Sequence, residues 1–273
     1  MLELYNFSQS TCSQKVRLVL AEKQMAWEDK RLISKNHDHL SDWYLKLNPN
    51  GVVPTLIDGG RPVIESSNIM QYLDAIHPQT PLMPADAYGQ AEVRAWLTYV
   101  DLVSTPASRY PSFQYGGLRI KFQQMTEEAF QDKIALRPVK SAFYRKMSRA
   151  HGFPDEIMAE AFKDLRATVA RMDKMLAANG GPWLMGGQLT IADMAVVPLV
   201  DRWEDVGLED LWMERHPRVD DWLKAMQALP SFKQAFYPGC RLSEQYPELS
   251  LGRGANSHVV REMFPAEASA EAA

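Results

Sequence analysis

Two clusters of residues in this chain could do chemistry. Ser10–Thr11–Cys12–Ser13 sets three hydroxyls and a thiol in successive positions just before the apolar run of Val16, Leu18, Val19 and Leu20. Hydroxyls placed there accept from the free N–H groups of a helix start. A hydroxyl donor and a helix N-terminus also stabilise a thiolate aimed at them, by charge-assisted hydrogen bonding. A thiol of ordinary pKa, about 8.5, needs such help to ionise near neutrality. The second cluster is Val53–Pro54 with Glu65–Ser66 downstream. A proline at the first position of a buried strand cannot donate to the ladder. A cis peptide before it would turn the Val53 backbone outward and offer its N–H and C=O to an extended ligand. Ser66, at a helix start, offers a hydroxyl, free N–H groups and the positive end of the helix dipole, which together suit a carboxylate. Alone, each feature is equally an edge proline or a routine cap; together they describe a peptide laid along Val53 with its carboxylate on Ser66.

The elements that must position these clusters follow from period and punctuation. Leu2 to Asn6 alternates as a short strand, a helix is expected from about Cys12 to Met25, and Trp27 to Ile33 reads as a second strand. His39 to Leu47 is short helical or irregular chain, stopped by Asn48–Pro49–Asn50–Gly51. Val53 to Ile57 is the third strand, turned by Asp58–Gly59–Gly60 into Pro62–Val63–Ile64, and Glu65–Ser66–Ser67 caps a helix through Ile76. The Pro-rich stretch around His77–Pro78 to Ala85–Asp86 is the best boundary, placing domains at 1–77 and 87–240 with a linker at 78–86. Beyond it the period is helical: Tyr88 to Val103, parts of Glu127 to His151, Gly152 to Ala178, Thr190 to Val206 with a capping box, Pro217 to Leu229 and Pro230 to Phe236. Residues 104–125 read as irregular and aromatic, and 241–273 as a polar tail, disordered over Ala266–Ala273.

The 273 residues are enough for a proper core, and 46% hydrophobic with 23% charged residues is ordinary for a globular enzyme. A net charge of −4 with mixed signs offers no basic face for nucleic acid, and no apolar run is long enough to cross a bilayer. Met1–Leu2–Glu3–Leu4–Tyr5 reads as a strand rather than a secretory leader. Cys12 and Cys240 stand in unrelated surroundings, with neither a disulfide framework nor metal-ligand spacing. A reducing cytoplasm is the expected setting, with no metal.

Asn48–Pro49–x–Gly51–x–Val53–Pro54, then Glu65–Ser66–x–x–Ile69–x–x–Tyr72–Leu73, resembles the glutathione-binding half of the glutathione transferases. Thr190–Ile191–Ala192–Asp193 is similar to the capping box of their C-terminal domain, and the likeness spans roughly residues 2–236. The resemblance implies an α+β chain: a thioredoxin-like N-terminal domain (βαβαββα), then an all-helical domain, as a homodimer or a heterodimer with a related subunit. Glutathione would be the co-substrate. By position, Val53 would pair with its cysteinyl backbone, Glu65 and Ser66 would hold the γ-glutamyl end, and His39 would lie near the glycine carboxylate. The family often has a cation where this chain has Val52, which leaves His39 or Lys15 to compensate, or a weaker affinity.

Ser10 occupies the position of the catalytic serine of theta- and zeta-like transferases, and Ser10–Thr11–Cys12 resembles the Ser-Ser-Cys of the zeta class. Thr11 and Ser13 are alternative thiol donors, and Cys12 is either a mixed-disulfide thiol or a residue packed beside the site. Asp101 would reach the α-amino group of glutathione across a dimer interface, or be a solvated or capping acid. Tyr110, Phe113, Tyr115 and Phe122 would line a pocket for a hydrophobic aromatic substrate, or simply pack a loop. Ser41–Asp42–Trp43 through Gly51, Arg149–Ala150–His151–Gly152–Phe153–Pro154, and Val169–Ala170–Arg171–Met172 are similar to bacterial β-aryl-etherases, which cleave lignin-derived aryl ethers. That group often has Asn at the position of Cys12. A zeta-like isomerase, a dehalogenase and a non-catalytic glutathione-binding protein are the competing readings.

Overall fold

The computed structural model describes residues 1–264, so the Ala266–Ala273 stretch expected to be disordered lies outside the described residues. The chain opens with β1 (Leu2–Asn6), α1 (Thr11–Glu22), β2 (Trp27–Arg31) and the short α2 (Asp42–Leu45). It continues with β3 (Thr55–Asp58), β4 (Arg61–Ile64) and α3 (Ser66–Ile76). The strands lie in the order β2-β1-β3-β4, with β1 parallel to β2 and antiparallel to β3. Leu4 stands opposite Asp29 and Leu56 at the centre of the sheet and is fully buried. The β3–β4 turn places Gly59 and Gly60 at φ of 54° and 80°, a conformation that costs other residues their Cβ clearance. β3 starts at Thr55, two residues later than expected, because Pro54 has no N–H to give the ladder. The Val53–Pro54 bond is cis, as the sequence led us to expect. This is the thioredoxin-like half.

The second half is helical. α4 (Ala87–Tyr99) is capped by Asp86, whose carboxylate accepts from the Gly89 N–H, and runs through a π-helical turn at Val100–Ser104 into α5 (Thr105–Tyr115). α6 (Gly117–Gln123) follows, so residues 104–125 are helical and not irregular. Pro111 and Gly117 are poor helix formers, but packing overrides them, while the extended Gly116 separates α5 from α6. α5 lies against the two longest buried helices, where Trp203 donates its indole N–H to Ser108 Oγ at 2.8 Å. Then come α7 (Glu127–Ala135), α8 (Ser141–Arg145), α9 (Asp155–Asn179) and α10 (Ile191–Asp205). α11 (Pro217–Ala228), α12 (Pro230–Ala235), α13 (Leu242–Gln245) and α14 (Ser257–Met263) complete the described chain.

α10 is buried along nearly its whole length and is the axis of the core, with α1 packed on it from the sheet side. Its start is fixed by the predicted capping box: Thr190 caps, and Asp193 accepts from the Thr190 N–H. Asp193 also accepts from the Leu184 N–H and the Trp222 indole.

Residues 241–264 are not a loose polar tail. Arg241 pairs with the buried Asp201 at 2.6 Å, the Leu242 N–H donates to Asp205, and Leu242 and Val260 are buried. The segment composition is polar because its polar groups meet polar groups of α10, which composition alone does not reveal.

Candidate active site at the start of helix α1

The loop entering α1 is held by two arginines. Arg17, almost fully buried, donates to Asn6 Oδ1, Phe7 O and Ser8 O, and Arg202 of α10 donates to Gln9 O at 2.7 Å. Three successive backbone carbonyls, Phe7 to Gln9, therefore hang on fixed guanidinium groups, with Asn6 held through its side chain, which sets where Ser10 begins the helix. Ser10 is the N-cap, its Oγ accepting from the Ser13 N–H at 3.3 Å. That bond uses a lone pair and leaves the hydroxyl hydrogen free to donate. Ser10, Thr11 and Cys12 face a cavity of about 680 Å³. Ser13 does not: it is fully buried and its Oγ has no partner among the described residues.

The facing wall is built on Tyr44 and Asn48. The Val52 carbonyl accepts from the Tyr44 hydroxyl at 2.7 Å and from Asn48 Nδ2 at 2.9 Å, and both groups also bond Thr55 Oγ1. Asn48–Pro49–Asn50–Gly51 is thus more than a turn, since its first side chain pins the next carbonyl. The N–H and C=O of Val53 have no protein partner among the described residues, an unusual state for a backbone so well buried. Glu65 sits at φ 67°, ψ 118°, a strained position for a residue with a side chain, and its carboxylate accepts from Asn50 Nδ2 at 3.0 Å. Ser66 opens α3 beside it. Val52, Val53, Pro54, Glu65 and Ser66 line a second cavity of about 180 Å³, and Cys12 lines both cavities. The two clusters read from sequence therefore meet at Cys12.

Other expectations move. His39 lines the larger cavity, packed edge-on against Phe7, but burial pushes its imidazole down to about 4, helped by Arg137, His37 and Lys140. It is neutral at pH 7 and is not the missing cation. Neither is Lys15, which is fully buried and directed at Thr105 Oγ1 (3.2 Å) and Asp101 (3.5 Å). Asp101 lies in the π-helical turn, half exposed, bound to Lys15 and outside both cavities. The cations at the smaller cavity are Arg109 and Lys140. Burial and the nearby Arg109 lower the Lys140 ammonium to about 8. Sequence gave no signal for them, because each comes from a segment whose position depends on tertiary packing.

Of the aromatic residues, Phe113 and Phe122 line the larger cavity, while Tyr110 and Tyr115 do not. Tyr110 packs on Phe143 and Phe153 with ring centroids 5.1 and 4.9 Å away, and burial pushes the Tyr115 phenol up to about 12. Phe143 and Tyr144 take their places at the cavity. They sit side by side in a charged stretch, a local apolar signal that could have been read. Leu242, Gln245 and Tyr246 also line the cavity, and Gln245 Nε2 bonds Ser8 Oγ and Gly239 O. Among the described residues no cluster of His, Cys, Asp and Glu could hold a metal ion, and no helix is long and apolar enough to cross a membrane.

The site thus joins a thioredoxin-like sheet, carrying an unpaired Val53 backbone beside the start of α3, to a helical half. The N-terminal domain family model of glutathione S-transferase matches residues 4–81, and the C-terminal domain model matches 155–225. Glutathione S-transferase Z1 of Arabidopsis thaliana is 36% identical over 234 residues, covering 86% of this chain and 90% of its own. The chain belongs to the glutathione S-transferase family. Protein LigF of Sphingobium sp. (strain NBRC 103272 / SYK-6) is 28% identical over 246 residues, 86% of this chain and 93% of LigF. The crystal structure of that beta-etherase superposes with a TM-score of 0.77 over 86% of this chain and 98% of its own. A tetrachloro-p-hydroquinone reductive dehalogenase of Sphingobium chlorophenolicum is 28% identical over 241 residues, 86% of this chain and 95% of that protein.

Proposed function

We propose that this chain is a glutathione transferase of the β-etherase type, cleaving the β-aryl ether bond of lignin-derived aromatic ketones. The likeness to the beta-etherase LigF over nearly the whole of that protein, at 28% identity, carries this reading. Glutathione would lie along Val53, its backbone pairing with the free N–H and C=O there. Its γ-glutamyl end would rest on Glu65 and Ser66 at the α3 N-terminus, where the dipole and N–H groups favour a carboxylate. Arg109 and Lys140 would supply the positive charge that Val52 does not. Its sulfur would then reach the α1 N-terminus near Cys12, where the free Ser10 hydrogen favours the thiolate.

The thiolate attacks the carbon bearing the aryloxy group. The C–S bond forms as the C–O bond breaks, the electron pair leaves with the phenolate, and the phenolate takes a proton from water. The adjacent ketone makes the carbon electrophilic, and a phenolate leaves readily. Holding sulfur and carbon about 3–3.5 Å apart contributes much of the remaining acceleration. The apolar wall of Phe113, Phe122, Phe143 and Tyr144 suits aromatic rings.

Incubation with glutathione and a racemic aryl ether ketone tests the reading, with phenol release expected to equal thioether formation and one enantiomer to be consumed first. The relationship to the S. chlorophenolicum dehalogenase and to a probable maleylacetoacetate isomerase of Vibrio cholerae favours a second reading, a dehalogenase or zeta-like isomerase. Turnover of a haloaromatic or maleyl substrate with no phenol from either ether enantiomer would replace the first reading by the second.

A further inference from the structure

The larger cavity is strongly cationic on one side. Lys121 in the last turn of α6, Lys133 in the last turn of α7 and Arg137 just beyond it all line it, and none of the three lines the smaller cavity. Among the described residues none of them pairs with a carboxylate; Arg137 lies 4.1 Å over the Tyr144 ring and Lys133 lies 5.9 Å over Phe122. The C-terminal ends of α6 and α7 offset part of this charge, but a helix end carries only about half a charge. The cost is visible in their neighbours. Burial, then Lys133, Arg137 and Lys121, lower the His37 imidazole, and burial with Lys121 and Arg137 lowers Lys133 itself. Like charges gathered on one wall without counter-ions are destabilising unless a ligand supplies the opposite charge. All three belong to residues 82–154, which neither family model matches.

We propose that the acceptor substrate is an aromatic acid, whose rings lie on Phe113, Phe122 and Phe143 and whose carboxylate is held by Lys121, Lys133 and Arg137. Arg137 offers two parallel N–H groups, which match a carboxylate in a bidentate pair. The γ-glutamyl carboxylate of glutathione belongs with Ser66 in the smaller cavity, while its glycine carboxylate, which the family resemblance puts near His39 in the larger one, is the competing anion for these cations. This inference rests on the reading of the site as a transferase with an acceptor pocket, and it narrows the acceptor class.

The test compares an aryl ether ketone carrying a ring carboxylate with its methyl ester, which has nearly the same shape and no charge. With glutathione saturating, kcat/KM should be at least about tenfold higher for the acid, the size of one hydrogen bond to a charged group. Lys121→Gln and Arg137→Gln should each shrink that preference, and Lys121→Arg should keep it. Equal rates for acid and ester would overturn the inference. A loss of glutathione affinity in Lys121→Gln with an unchanged preference would also overturn it, since the cations would then serve glutathione. Binding of 4-phenoxybenzoate against its amide, measured by calorimetry with glutathione present, needs no turnover. If the acid binds more tightly in a Lys121-dependent way while neither ether is cleaved, the aromatic-acid site stands and the etherase reading fails.

Discussion

Ser10 has one hydrogen and two lone pairs to divide between two tasks. Its lone pair caps α1 through the Ser13 N–H, and its hydrogen is free for a thiolate at the cavity. Ser10→Ala removes both. The pH at which bound glutathione ionises should rise by about one unit, and stability should fall by about 1 kcal/mol. Ser10→Asp separates the tasks: it restores the capping acceptor and hence stability, but has no hydrogen to give and should leave ionisation impaired. Spectroscopic titration of the thiolate checks this, and a silent Ser10→Ala beside an altered Thr11→Val or Cys12→Ala would reassign the donor. His39 yields a prediction about acid. The folded protein keeps its imidazole neutral down to about pH 4, whereas an unfolded chain takes up that proton near 6.5. Between those values the unfolded state binds more protons, so stability falls as pH drops through that window. His39→Gln removes this component, and urea titrations should find a smaller loss between pH 7 and 5 than in the native chain. An equal or larger loss would mean that His39 is not held neutral. The chemistry of a strand-entry proline and a helix start pointed to Val53 and Ser66, and the family resemblance implied Glu65 and His39; all four line the cavities. Lys15, offered as a compensating cation, is not one, because a buried lysine and an acid eighty-six positions away find each other only once α1 lies on the π-helical turn.

At the scale of elements, the best-specified feature is the start of α10. Asp193 receives two backbone N–H groups, a hydroxyl and an indole N–H, all buried. Asp193→Ala would strand those donors in the core, and the expected cost is about 3 kcal/mol or more. Denaturant unfolding should register it as a lower midpoint with an unchanged slope, and a loss below about 1 kcal/mol would contradict this account. This element was legible because a capping box is a local code. The opposite holds for α5 and α6. Prolines, glycines and serines over 104–125 describe poor intrinsic helix, and burial of α5 against α9 and α10, with α6 packed on α5, makes the segment helical. Misreading that backbone also misplaced its side chains, which explains why Tyr110 and Tyr115 turn out to pack the interior while Phe113 faces the cavity.

At the scale of the molecule, the succession of strands and of most helices followed from period and turn chemistry, because each strand and its turn are contiguous in sequence. The closing segment did not. Arg241 to Phe264 has too few apolar residues to announce a packed role, yet Arg241 answers Asp201, Leu242 answers Asp205, and Gln245 crosses to Ser8 at the other end of the chain. The entry loop of α1 is therefore braced from three sides: by its own helix through Arg17, by α10 through Arg202, and by the closing segment through Gln245. This closure has a consequence in time as well as in space. A chain emerging from a ribosome presents Ser8 to Ser10 long before Gln245, so the wall formed by Leu242, Gln245 and Tyr246 cannot exist until residue 246 is made. Val53 and Ser66 are made before it, and Arg109 and Lys140, which line the same cavity, come between. A chain interrupted before residue 242 would therefore lack both the brace that Gln245 gives the Ser8 loop and the wall that closes the larger cavity.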